Sequence, residues 1–332
     1  MDPHIETGAV EGLTGGMKIT IAGSGAMGCR FGAALFEAGH EVLLLDGWAG
    51  HVAAINEAGL RVTDEAGTRV VPVPAALFPA PADHADLVLV FAKATATATV
   101  AAAAAGSIGP SSLLLTLQNG LGNVEELSAH APADRLLAGT TTLGTELVGP
   151  GHIRALGSGE TVLGPVSPRG AAAADLAGAA LAEAGLPTRV TDDALSVIWA
   201  KVAFNCVMNS LCAIASIPVS ALARYDGFDA LAMSILREIE AVARAEGVAV
   251  DTAAALRLMK AQFDRSASGD HLASTLQDLM NGRPTEIAHL NGAIAARAVK
   301  HGLDAPANTL ITALIGLLEA TWPRRVDRLH PG

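Results

Sequence analysis

Beginning at Met17, short apolar runs alternate with stretches of helical period. Lys18–Ala22 and 41–45 read as buried strands, and 26–38 between them has helical apolar spacing, so the three form a βαβ unit. Residues 86–91 make another strand, the Ala- and Thr-rich text after Lys93 a helix, and 113–117 an apolar strand that stops at Gln118, Asn119 and Gly120. The glycine-rich stretch 140–164, with short β-type runs, is expected to complete the same sheet. This alternation predicts an α/β fold: a mostly parallel, doubly wound sheet with its ligands at the carboxyl ends of the strands.

Past about Ala171 the rhythm changes. Helical periods cover 171–184, 194–214, 227–246, 253–266, 272–280 and 285–300, which predicts a second, all-helical domain. The expected division is a leader over 1–16, a sheet domain over 17–170, a helical domain over 171–322 and a tail over 323–332. At 332 residues the chain is long enough for two such cores. The leader is glycine-rich and aperiodic and precedes a second Met, so it reads as a flexible or vector-derived extension.

Charge and cysteine usage narrow the function. Asp and Glu outnumber Lys and Arg by 33 to 22, and a net charge of -11 offers no field to hold nucleic acid or an anionic membrane. Arg324, Arg325 and Arg328 read as a solvated tail. Cys29, Cys206 and Cys212 are an odd number of thiols in apolar or helical text, which points to a reducing, cytoplasmic compartment. No run of membrane-span length is free of polar interruption. The histidines lack ligand spacing and the cysteines do not cluster, so no catalytic metal is expected.

Gly23, Ser24, Gly25, Ala26, Met27 and Gly28 fit G-x-G-x-x-G between a strand and a helix, the setting in which that spacing binds a dinucleotide. The first glycine permits the tight turn, the second lets backbone approach a pyrophosphate, and the third lets helix and strand pack closely. Asp46, closing the second strand, is placed to accept the adenosine ribose hydroxyls; the alternative is a strand-end Asp in a turn. The first domain is therefore read as a Rossmann domain.

In the helix over 194–214, Lys201, Asn205 and Asn209 recur every fourth position among apolar neighbours and share one face. A buried amide or ammonium without a partner costs about 1–3 kcal/mol or more, so a wet or ligand-filled cleft is expected opposite, unless the face is a solvent stripe. A desolvated lysine there has a lowered proton affinity and suits general acid work. Ser274 and Glu286 flank a Gly-Arg-Pro break, and on their own they equally suit helix caps, with Pro284 opening the last helix and Glu286 in its first turn.

Four ordered segments, GSGAMG, LQNGLGN, IWAKVAFNCVMNSLCAI and STLQDLMNGRPTEIAHLNG, together closely resemble the ketopantoate (2-dehydropantoate) reductases from about Met17 to Leu318. The resemblance implies NAD(P)H-dependent reduction of the 2-oxo group of ketopantoate to (R)-pantoate, toward pantothenate, with no partner beyond the small 2-oxo acid except a possible second copy of the chain. It further implies Lys201 as general acid and Asn205 and Asn209 as substrate-positioning amides. Ser274 would bind the substrate carboxylate, and Glu286 would hold the substrate hydroxyl and help place the lysine. Lys93 and Asn119 would face the nicotinamide half of the cofactor and the cleft.

Three positions depart from the pattern. Gly47 stands where NADPH-using relatives carry an arginine for the 2′-phosphate, so Asp46 and Gly47 favour NAD over NADP. His271 replaces a carboxylate-binding Asn, and Ala288 an Asp. Two alternatives remain open: an NAD-dependent D-2-hydroxyacid dehydrogenase for other branched 2-oxo acids, and a dinucleotide sensor without turnover.

Overall fold

A computed structural model of the chain describes residues 16–266 and 272–324. His271, Arg325, Arg328 and residues 1–15, and with them most of the expected leader and tail, lie outside the described residues.

The chain opens β1 (Lys18–Ala22), α1 (Ala26–Glu37), β2 (Glu41–Asp46) and α2 (Ala49–Ala58). Then follow β3 (Leu60–Asp64), β4 (Gly67–Val71), β5 (Ala75–Leu77), β6 (Ala85–Val90), α3 (Thr97–Ala103), β7 (Ile108–Thr116), α4 (Asn123–Leu127) and β8 (Leu136–Thr141). The strand-rich part ends with β9 (Gly144–Gly149), β10 (His152–Leu156), β11 (Thr161–Pro165), α5 (Ala171–Glu183) and β12 (Thr188–Val190). Eight strands form the main sheet in the order β12-β11-β8-β7-β6-β1-β2-β5, parallel throughout except where β11 runs against β8. Alternation along the strands sets the layers. Leu87, Leu89 and Leu115 face the core under α1 and α5, while Val88, Val90 and Leu114 face the one under α3 and α4. Strand order turns outward in both directions from β1, which creates a crevice at the carboxyl edge between β1 and β6.

Two features of the strand-rich part differ from the sequence reading. First, 140–164 does not all join the main sheet. β9 and β10 pair with β3 and β4 in a separate four-stranded sheet beside α1, a set of short strands, with β4 and β9 largely exposed, that local periodicity does not distinguish. Second, the helix at 171–184 does not begin the helical domain. Ala174, Ala177 and Leu181 of α5 pack on the main sheet, and the chain then returns to add β12. An Ala-rich helix looks alike whether it covers a sheet or another helix.

Beyond Asp193, whose carboxylate caps the next helix by accepting the Ser196 N–H at 3.1 Å, the described residues are helical. The helices are α6 (Ala194–Ala215), α7 (Val219–Leu222), α8 (Phe228–Ala245), α9 (Thr252–Ser266), α10 (Ser274–Met280), α11 (Asn291–Lys300) and α12 (Pro306–Thr321). α6 is long and apolar enough to cross a membrane by length and composition, yet it is the central core helix, with Val202, Ala203, Cys206 and Val207 fully enclosed. A buried polar knot ties its neighbours to it. Asn291 donates to the Cys206 carbonyl and to Asn308 Oδ1, and Asn308 donates to Glu238 of α8 at 2.8 Å. The expected helix 285–300 is a loop, a single 3-10 turn at Ile287–His289, and α11. Pro284 therefore does not open a helix, and Glu286 precedes the 3-10 turn instead of lying in the first turn of a helix.

Candidate active site

β1 ends in the glycine loop. Gly23 has φ +96°, and a side chain there would meet the Phe91 backbone at 3.0 Å; a Cβ on Gly28 would stand 2.2 Å from the Gly23 carbonyl. Gly25 differs from both. Its φ is an ordinary -63° and nothing lies within 4 Å of a Cβ built there, so neither backbone nor packing demands a glycine, and the main chain is left open to a ligand. α1 starts at the same point with no side-chain cap and no acid in its first turn, leaving free N–H groups and a positive dipole toward that space. This donor set fits a dinucleotide pyrophosphate.

The loop is braced from behind. Gly151 N–H donates to Nδ1 of buried His51 at 3.0 Å, which leaves Nε2–H to donate to the Ser24 carbonyl at 3.0 Å. Cys29 donates its S–H to the same carbonyl, and burial pushes the Cys29 thiol up, out of the reactive range. Asp46 ends β2 with Oδ1 accepting the Trp48 N–H at 2.9 Å and Oδ2 3.5 Å from the Ser24 hydroxyl.

At the same edge, residues from both parts of the chain meet. Glu286 is 9 % exposed; its Oε1 accepts the Ala94 N–H at 3.0 Å and its Oε2 lies 3.4 Å from the Asn119 amide nitrogen. The loops after β6 and β7 thus both end on one carboxylate. Gln118 stiffens them by donating to the Ala92 carbonyl and to the Thr97 hydroxyl, each at 2.8 Å. Lys201, half-buried on α6, donates to the Thr141 carbonyl at the carboxyl end of β8 at 2.8 Å. Desolvation lowers its pKa to about 8, while the Glu286 charge pushes the other way, which places the two in one electrostatic neighbourhood. Further along the Lys201 face, Asn209 donates to Ser274 Oγ at 3.0 Å. Asn205 is 7 % exposed, and its amide has no hydrogen-bond partner among the described residues.

Lys93 is not free in the cleft. Its ammonium is 2.6 Å from Asp278 Oδ2, and Arg283 Nε is 3.1 Å from Oδ1 of the same carboxylate. Sequence reasoning passed over Asp278, although it lies four residues after Ser274 and so on the same face of α10, where a buried acid needs a cation. It also passed over His289. The carbonyl of His289 accepts the Leu121 N–H at 2.9 Å while its Nδ1 donates to the Leu121 carbonyl at 3.2 Å, fastening the Asn119 loop to the Glu286 turn. Gly120, at φ +86°, is required there because a Cβ would come within 2.7 Å of the His289 carbonyl. Nothing in the residue type of His289 marks this contact; only the repeated glycines of the loop hint at a close approach. Among the described residues no three His, Cys, Asp or Glu side chains gather as metal ligands.

Two-domain dinucleotide-dependent oxidoreductases are built on this plan, with the glycine loop on one wall of a cleft and the ionisable groups of a helical domain on the other. The chain belongs to the ketopantoate reductase family. The profile described as "Ketopantoate reductase PanE/ApbA" matches residues 19–168, and the one for its C-terminal part matches 193–319. The 2-dehydropantoate 2-reductase of Streptococcus pyogenes serotype M3 is 33% identical over 307 residues, covering 92% of this chain and 98% of that protein. Its counterpart in Halobacterium salinarum is 34% identical, over 91% and 99%. Among solved structures, D-mandelate dehydrogenase with NADH and anilino(oxo)acetate superposes with a TM-score of 0.88 at 32% identity, over 92% of this chain and all of that one. A PanE/ApbA family ketopantoate reductase from Ralstonia eutropha JMP134 gives 0.81 at 37% identity, over 93% and 100%.

Proposed function

We propose that this chain reduces 2-dehydropantoate to (R)-pantoate with a nicotinamide dinucleotide. The observation that carries this reading is the meeting of Lys201 and Glu286 with the loops after β6, β7 and β8, in a chain of this family. The bound dinucleotide supplies the hydride for the 2-oxo carbon. Lys201 gives the proton to the carbonyl oxygen, and its lowered pKa suits that transfer near neutral pH. Glu286 holds the substrate hydroxyl and keeps the lysine's charge in place. Asn205, whose amide has no partner among the described residues, and Asn209 orient the substrate oxygens, and Ser274 receives the carboxylate. Gly23, Ser24, Gly25, Ala26, Met27 and Gly28 hold the pyrophosphate, Asp46 the adenosine ribose and Asn119 the nicotinamide side, while Lys93, paired with Asp278, lines the cleft beside it.

NADH is the coenzyme we favour, because a carboxylate at Asp46 with Gly47 beside it repels a 2′-phosphate and offers no cation for it. A second reading, an NADH-dependent dehydrogenase for other branched 2-oxo acids, draws on the similarity to D-mandelate dehydrogenase and on Ala288. We place the domain boundary near Asp193, infer a reducing compartment from three free, buried thiols, and infer pairing of two copies through α12.

Steady-state rates for 2-dehydropantoate and 2-oxoisovalerate with NADH and with NADPH test the proposal. The expected result is fastest turnover with 2-dehydropantoate and NADH, with Lys201→Ala lowering kcat by about a hundredfold or more while NADH affinity is kept. Higher kcat/KM with 2-oxoisovalerate would favour the second reading, and tight NADH binding without oxidation by either acid would leave only a sensor.

A further inference from the structure

Trp48 is a large aromatic side chain left 45% exposed two residues beyond Asp46, and it is not loose. Its indole lies on the His51 ring with centroids 5.4 Å apart and planes 11° from parallel. His51 is itself immobilised through both nitrogens, accepting from Gly151 N–H and donating to the Ser24 carbonyl of the glycine loop. The backbone N–H of Trp48 is tied to the Asp46 carboxylate at 2.9 Å, and its carbonyl accepts the N–H groups of His51 and Val52. A flat apolar surface is thereby fixed just past the carboxyl end of β2, two residues after the Asp46 carboxylate and resting on the ring that holds the Ser24 carbonyl of the glycine loop.

We propose that the Trp48 indole is the platform on which the adenine ring of the dinucleotide stacks. A purine is planar, uncharged and weakly hydrated on its faces, and an indole already held by a second ring loses little freedom in receiving it. Asp46 then takes the ribose hydroxyls while the indole takes the base, so one short segment, 46–48, reads the whole nucleoside. His51 serves both contacts at once, since the ring beneath the indole also holds the Ser24 carbonyl. The inference rests on the dinucleotide reading and adds the residue that binds its adenine half.

Calorimetric titration of the full chain tests it, using NADH, ADP-ribose and reduced nicotinamide mononucleotide on wild type, Trp48→Ala and Trp48→Phe. Trp48→Ala is expected to weaken NADH and ADP-ribose by about five- to thirtyfold and to leave the mononucleotide unchanged. Trp48→Phe, which keeps a ring, recovers most of the loss. ADP-ribose should quench indole emission in the wild type and not in Trp48→Phe. Unchanged ADP-ribose affinity in Trp48→Ala overturns the proposal, as does an equal loss of the mononucleotide, which would mean a distorted glycine loop. If wild type binds neither NADH nor ADP-ribose, the dinucleotide reading fails first, and the proposal with it.

Discussion

At the scale of single residues, the proposed chemistry turns on how Lys201 is held charged in a place that disfavours charge. Desolvation lowers its pKa to about 8, and the Glu286 carboxylate opposes that fall. In the proposed mechanism the proton donor is the ammonium, so kcat for reduction should be level below about pH 7 and fall once pH passes about 8. The reverse oxidation needs the neutral amine and should rise over the same interval. Glu286→Gln removes the influence that raises the lysine's pKa, so the break in the reduction profile should move to lower pH as kcat drops. Rate profiles of the two proteins check this, and a break that stays put would detach Glu286 from the lysine's titration.

At the scale of elements, β1, the glycine loop and α1 form one device, and the structure separates its glycines by cause. Gly23 and Gly28 are dictated by neighbouring backbone, whereas nothing in the protein requires a glycine at Gly25, which borders open space. Gly25→Ala should therefore leave thermal stability nearly unchanged while weakening NADH about tenfold or more, because the methyl would stand where the proposed site puts the pyrophosphate. Melting temperature and NADH titration, taken together, decide whether the loss is local to the ligand. The βαβ unit was legible in the sequence because buried parallel strands are short apolar runs and their glycine turn has fixed spacing. The face shared by Lys201, Asn205 and Asn209 was legible for a similar reason, since polar residues every fourth position stand out in an apolar helix. β3, β4, β9 and β10 were not, because β4 and β9 are largely exposed and carry weak periodicity, and the two hairpins join only through the distant pairing of β3 with β10. Asp278 and His289 escaped for a different reason. Their roles exist only once α10 and the 3-10 turn meet the loops after β6 and β7, a juxtaposition that no local pattern encodes.

At the scale of the molecule, the question is why α12 presents apolar residues on opposite sides. Asn308, Ile311 and Ile315 turn inward, while Leu310 and Leu317, seven residues apart, are 60% and 58% exposed with exposed Ala313 between them. That spacing makes one stripe along the helix, of the kind that a second copy of the same stripe covers in a two-fold pairing. A net charge of -11 on each copy opposes the approach, so pairing should tighten as salt rises and screens the repulsion. Sedimentation velocity at micromolar concentration should show a dimer of the 33.5 kDa chain, stronger at 0.5 M than at 0.05 M NaCl, and Leu317→Glu should return it to a monomer. All the groups gathered around Lys201 come from a single chain, so the monomeric variant should keep its kcat. Wild type sedimenting as a monomer at every salt concentration would leave the stripe unexplained and rule out the pairing.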